Sequence, residues 1–295
     1  MDNQQGISLI FLVSIAASML RLSTPLVLGA LGGYASERGG VINIALEGFM
    51  LMGAFFGAVG AHAGHSPWVG LIFGCAAAVA TALLHGFLCI SLKANPIISG
   101  IAINFFAAGI PPVVAKALYD FSGGTPQLEA MACMPRWNWG SPLFWFALLA
   151  TLLMTVIHRG HVFGQHLRFA GEHPEALASQ VGSVARTQCK GLILCGLLCG
   201  LAGAYLSIDH GTAFSRNMTA GRGFIALAAL IVGRHTPLGA AAAALGFGAV
   251  EAVQILLQGS NTGLSVQWLQ LLPYAATLLI LASSQRLRPR SSSGV

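Results

Sequence analysis

Long apolar stretches separated by short polar connectors fill almost the whole chain. They cover residues 7–33, 41–61, 68–91, 97–118, 141–157, 190–208, 223–235, 238–258 and 268–284. A helix needs about 20 apolar residues to cross a hydrocarbon core of about 30 Å, so the pattern predicts about nine transmembrane helices, with roughly eight to ten as the range. Two stretches depart from the rule. The first is long and interrupted by Arg21 and Pro25. The seventh, 223–235, is short and reads either as a crossing or as a re-entrant helix. The N-terminal stretch is not read as a signal peptide. Met1 to Gly6 carries only Asp2, Arg21 follows the apolar run, and no small-residue cleavage site is evident. It is expected to remain as the first span.

Composition sharpens this picture. Of the 295 residues, 55% are hydrophobic and 8% charged, against about a quarter charged in soluble domains. Neither a soluble globular chain nor a disordered one accommodates that balance. The spans use up the length and leave no soluble domain, so residues 1–295 are expected to form a single all-α transmembrane domain embedded in membrane lipid. The net charge of +6 comes mainly from scattered arginines rather than a basic cluster interleaved with aromatics, which argues against nucleic acid as a partner.

Charge asymmetry orients the spans. With Arg286, Arg288 and Arg290 placed in the cytoplasm, the inner connectors hold Arg38, Lys93, Arg159, Arg168, Arg186, Lys190 and Arg234. Ten of the 15 basic residues then face inward. Lys116, Arg136, Arg216 and Arg222 face outward. Residues 119–140 form an outer loop whose Trp137 and Trp139 suit an interfacial belt better than a binding role. Residues 158–189 form the longest inner loop. Within it Pro174 can open a helix that continues through Glu175, Ala176 and Leu177. A short helix along the cytoplasmic surface is expected there, and a long structured inner loop in an otherwise minimal chain suggests a partner.

Few residues carry chemistry. Asn43 and Glu47, spaced i and i+4, are expected on one helix face; Asn104 and Glu251 lie deep in other spans, with Gln254 beside Glu251. An ionisable group at membrane depth costs at least about 2.5–3.5 kcal/mol, so it faces a bundle interior or a wet cavity. Asn43, Glu47, Asn104 and Glu251 are therefore candidates for a polar translocation path, with interhelical hydrogen bonding as the alternative. The cysteines mostly lie in apolar runs and read as small hydrophobes. The histidines show no metal spacing and read as solvated or interfacial. Gly53 with Gly57, and Gly196 with Gly200, report close helix packing. No catalytic constellation, metal site, cofactor site or nucleotide-binding loop is present, so active transport would need ions or another chain as its energy source. Arg38-Gly39-Gly40 and Arg222-Gly223 open two apolar segments in a similar way, a weak sign of two related halves.

The stretches Thr24 to Gly33, Ser36 to Gly48, Asn95 to Asn104, Gly221 to Ala228, and Gly233-Arg234 before Pro237-Leu238-Gly239 closely resemble the permease subunits of ABC importers in the branched-chain amino acid and simple-sugar class. Within that class the chain is most similar to nucleoside-type permeases, such as those for guanosine or uridine. Gly171-Glu172-His173-Pro174-Glu175-Ala176 resembles the family's inner-loop segment, with His173 in place of the usual Asn. The resemblance spans roughly residues 20–285.

It implies a type II importer-like bundle with two related halves in the bacterial cytoplasmic (inner) membrane. It also implies a second, non-identical permease subunit, a cytoplasmic ATPase that binds the ATP, and an extracytoplasmic solute-binding protein. Gly171 to Ala176 would be the ATPase coupling loop. The solute would be a nucleoside, or within the same class a simple sugar or riboflavin-like molecule. Two other classes stay open: an ion-coupled secondary transporter using Glu47 and Glu251 as a relay, and a membrane-embedded enzyme or scaffold, for which no clustered catalytic set is found.

Overall fold

The computed structural model describes residues 2–135, 141–259 and 275. Trp137, Trp139, Arg136, the ninth apolar stretch and the C-terminal arginines lie outside the described residues. Among the described residues, ten α-helices follow in chain order: α1 Asp2–Arg38, α2 Leu46–Gly64, α3 Pro67–Gly86, α4 Pro96–Tyr119, α5 Pro142–Gly160, α6 Val162–Glu172, α7 Pro174–Val181, α8 Val184–Ala204, α9 Arg222–Val232 and α10 Pro237–Gly259. Wider π-helical turns extend α3 through Ser91 and α8 through His210.

The starts of these helices follow from local chemistry. Several open on a proline, whose missing N–H and fixed φ suit a first turn. The Asn95 side chain accepts from the N–H groups of Ile97 and Ile98, and Ser141 accepts from Phe144. Pro25 does not interrupt α1 as the sequence suggested. Its ring removes a backbone donor, but the Tyr205 hydroxyl donates to the Arg21 carbonyl at 3.0 Å. That carbonyl is the one a residue 25 N–H would have engaged, so the helix runs through the proline with its ladder repaired.

Seven of these helices are long and apolar enough to cross a membrane, among the described residues. The expected count of about nine is therefore reached only in part. The second span also begins later than the expected residue 41, because residues 41–44 are not helical. Helices α2 and α8 form the centre, with α1 and α3 against them. Glycine makes this possible: a Cβ on Gly53 would lie 2.8 Å from Gly200 Cα, and one on Gly200 would lie 2.7 Å from Cys75 Cα. Helices α4 and α5 turn apolar side chains such as Phe105, Val113, Leu149 and Val156 outward, as a lipid-facing surface requires.

The short helix α9 has eleven residues, about 16 Å of helix and too little to span a bilayer alone. At one end, Ser215 pairs with Gly124 of the 119–140 loop, and the Phe214 N–H donates to Thr125 Oγ1 at 2.9 Å. At the other end, His235 Nδ1 lies 3.1 Å from Glu37 Oε2, beside the inner end of α1. Residues 212–235 thus run from the 119–140 loop to the end of α1 as irregular chain followed by an eleven-residue helix.

Candidate functional site

The polar residues singled out at membrane depth converge where two chain segments lose helical form. Residues 41–45 run non-helical, and Val41, Asn43 and Ala45 are buried there. Backbone groups in such a place have no water and must find protein partners. Ser36 Oγ donates to the Val41 carbonyl at 2.9 Å. Asn43 Oδ1 accepts from the Ala45 N–H at 2.9 Å, and its Nδ2 donates to Cys195 Sγ at 3.3 Å. Asn104, on α4, accepts from the Gly48 N–H at 2.8 Å and donates to the Ile44 carbonyl at 3.0 Å. Asn104 therefore satisfies an N–H of the first turn of α2 from a neighbouring helix, while Asn43 closes a turn just before it. Asn43 and Glu47 do not share a helix face, since α2 starts only at Leu46.

Glu47 lies in the first turn of α2 and points at the start of α9. Its Oε1 accepts from Thr219 Oγ1 at 2.6 Å and from the Gly221 N–H at 2.9 Å, and its Oε2 accepts from the Gly223 N–H at 2.6 Å. All three partners donate, which suits an acceptor-only carboxylate. The positive end of a helix favours an anion there. Bonds to a charged group contribute about 1.5–3 kcal/mol each, enough to offset the insertion cost of about 2.5–3.5 kcal/mol. The approach is close: a Cβ on Gly223 would fall 2.4 Å from Glu47 Cα. Only glycine lets the carboxylate reach this backbone.

Glu251, on α10, pairs with Arg222, the first residue of α9, at 2.5 Å. Arg222 Nη1 also donates to the Met218 carbonyl at 3.2 Å. The four pathway candidates thus form one junction among α2, α4, α9 and α10. Sequence reasoning missed His85. It was grouped with solvated histidines, yet it is fully buried in α3, with Nδ1 2.9 Å from Ser99 Oγ and its ring edge-on to Phe49. A histidine inside an apolar run is itself the signal that could have found it.

The inner loop holds two helices, α6 and α7, where one was expected. Pro174 takes the first position of α7, Glu175 lies in its first turn, and Gly182 closes it with φ +78°. Leu177 is buried against the chain itself and anchors α7. Glu172, His173, Pro174, Glu175 and Ala176 line a shallow pocket of about 390 Å³. Glu172 bonds Arg168 Nε at 2.8 Å and lies 3.1 Å from Arg38 Nη1. The hydrogen bond from Arg168 holds the Glu172 carboxyl below its ordinary value. This cluster ties the loop to the inner end of α1. Tyr34 of α1 also hydrogen-bonds His158 of α5, at 2.7 Å.

Residues 15–281 match the family of permease components of branched-chain amino acid transport systems. The chain is 31% identical to the nucleoside ABC transporter permease protein NupC of Lactococcus lactis, over 91% of each chain. It is 33% identical to the guanosine ABC transporter permease protein NupQ of Bacillus subtilis, over 90% of each. A Haloferax volcanii protein, TsgC13, provisionally named a glucose ABC transporter permease, is 30% identical over 92% of each. No solved structure matches the chain.

Proposed function

The chain belongs to the family of permease components of branched-chain amino acid transport systems, and on that premise we propose that it carries nucleosides through the cytoplasmic membrane as the permease of an ATP-driven importer. As a multi-pass membrane protein of this family it is a transport subunit. The observation that carries the nucleoside reading is the match to the nucleoside and guanosine permeases over nearly their whole length. ATP is bound and hydrolysed on a separate cytoplasmic ATPase. An extracytoplasmic binding protein delivers the solute, and a second, non-identical permease completes the path.

Within this reading, Gly171 to Ala176 is the segment that docks on the ATPase. Its support is positional: it packs against the Arg38 end of α1, begins a proline-initiated helix and lines a pocket. Asn43, Glu47, Asn104 and Glu251 shape the translocation path. They fix two irregular segments, one of them leading into the half-length helix α9, the kind of place where transporters bind solute. Ile42 and Phe224, next in sequence to these fixed groups, are about half exposed. A glucose-type solute is the second reading, favoured by the Haloferax relative.

The test is uptake into proteoliposomes holding this chain, its partner permease and the ATPase, with the binding protein outside. Labelled guanosine should accumulate only when ATP is enclosed with the ATPase. Accumulation of glucose or riboflavin instead would reassign the solute. Uptake driven by a proton or sodium gradient without the ATPase would overturn the class.

A further inference from the structure

Glu37 and Glu47 flank the chain that links α1 to α2, and each grips one end of α9. Glu47 holds the start through the Thr219 hydroxyl and the N–H groups of Gly221 and Gly223. Glu37 holds the turn after the helix through His235, at 3.1 Å. The Asn43 backbone reaches the Glu37 carboxylate as well, which ties the linking chain to the same anchor. Helix α9 is thus suspended along residues 37–47.

That same stretch bears directly on the coupling segment. Gly40 adopts φ +86°, and a Cβ there would lie 2.9 Å from Gly171 Cα. A Cβ on Gly171 would lie 2.7 Å from the Arg38 carbonyl. Two backbones therefore meet with no side chain between them, and the Arg38–Glu172 pair closes the contact on one side. Close-packed backbone transmits displacement because it has no soft side chain to absorb it. From Gly40 to Gly48 the chain is pinned at Val41 by Ser36, at Ala45 by Asn43, and at Ile44 and Gly48 by Asn104.

We propose that residues 37–47 form a transmission strap: movement of the coupling segment against Gly40 is passed through the strap to Glu37 and Glu47, which displace α9 as one unit and so gate the path. Glu47 is then a positioning residue for α9 rather than a contact for solute. Helix α9 suits the moving part, because it is short and held at both ends by polar bonds, each of which can re-form after a shift.

The inference rests on the ATP-driven reading, and the experiment separates the two. In the complete reconstituted importer, ATP hydrolysis and labelled guanosine uptake are measured for wild type, Glu47→Gln, the milder Thr219→Val, His235→Gln and Gly40→Ala. The strap predicts that maximal uptake per ATP hydrolysed falls about tenfold in Glu47→Gln and Gly40→Ala, with smaller losses in the other two. Hydrolysis and the half-saturating guanosine concentration stay near wild type. A raised half-saturating concentration with maximal uptake intact would make Glu47 a solute contact and overturn the strap. A parallel fall of uptake and hydrolysis would reduce these residues to structural supports and overturn it too. Should Glu47→Gln fail to assemble, wild-type ratios in Thr219→Val and His235→Gln would sink the proposal. Absence of ATP-dependent uptake in wild type would remove the function reading itself, and the strap with it.

Discussion

Asn104 closes the start of α2 with both halves of one amide: its oxygen accepts from the Gly48 N–H at 2.8 Å while its nitrogen donates to the Ile44 carbonyl at 3.0 Å. Those two backbone groups stand on either side of the point where the chain turns helical. Replacing Asn104 by Leu leaves both without a partner, and each buried unsatisfied group costs about 1–3 kcal/mol. Asn104→Leu should lower the melting temperature of the detergent-solubilised protein clearly. Asn104→Gln, which keeps the neutral amide on a longer stem, should lower it by roughly half as much. Equal losses in the two variants would mean that the amide serves neither group.

Glycine at the α2–α8 contact is expected to be irreplaceable. Gly53→Val drives a branched side chain into Gly200, where even a Cβ sits 2.8 Å from Cα. Overpacking of this kind costs about 1–3 kcal/mol. Gly109, inside α4, has nothing within 4 Å of its Cβ position. Gly109→Ala should therefore stabilise by roughly 0.5–1 kcal/mol through helix propensity. Thermal unfolding in one detergent, read for both variants, checks the opposite signs.

The Glu172 cluster should make the inner loop acid-sensitive. Its folded-state pKa is depressed from 4.5, first by the Arg168 hydrogen bond and further by the charge of Arg38. A depressed carboxyl contributes stability that is complete above its unfolded value and is lost as pH falls through the lower folded value. Protection of residues 162–181 from limited proteolysis by an acid-tolerant protease should thus hold at neutral pH and decline below about pH 4.5. Glu172→Gln should be less protected at neutral pH and show little further change on acidification. An unchanged acid profile in that variant would place the sensitivity elsewhere.

Ala176→Trp addresses docking. A bulky indole beside Pro174 would fill the shallow pocket and block close approach of a partner surface. The variant should insert normally yet retain several-fold less ATPase on co-purification, about the 5–150-fold range of a coupling energy of 1–3 kcal/mol. Wild-type retention and solute-stimulated hydrolysis would shift the docking role to another inner segment, such as Lys93 to Pro96.

Some of this was legible in the sequence and some was not, for identifiable reasons. Apolar length alone located most helices, and Pro174 announced α7 because its fixed φ matches a first helical turn. The insertion cost of polar groups drew attention to Glu47 and Asn104, whatever their partners. Those partners could not be read: Glu47 meets Gly221 and Gly223 across more than 170 positions. The false helical start at Val41 has the same origin. Val41, Ile42 and Ile44 continue the apolar pattern, and the non-helical path is held by the side chains of Ser36, Asn43 and Asn104, with Cys195 and Asn104 reaching it from distant helices. His85 escaped notice because its partner, Ser99, lies beyond a turn, on the next helix.

The repair of α1 at Pro25 has a consequence for how this sequence can drift. While Pro25 is present, the Arg21 carbonyl depends on the Tyr205 hydroxyl, and exchange of that tyrosine for phenylalanine strands it. Once residue 25 regains an N–H, the same exchange becomes nearly silent. The two positions, 180 residues apart, therefore have an order of permissible change: position 25 first, position 205 second. A lineage that keeps the proline keeps the tyrosine, and the pair should vary together across descendants of this chain as a conditional tolerance rather than as two independent preferences.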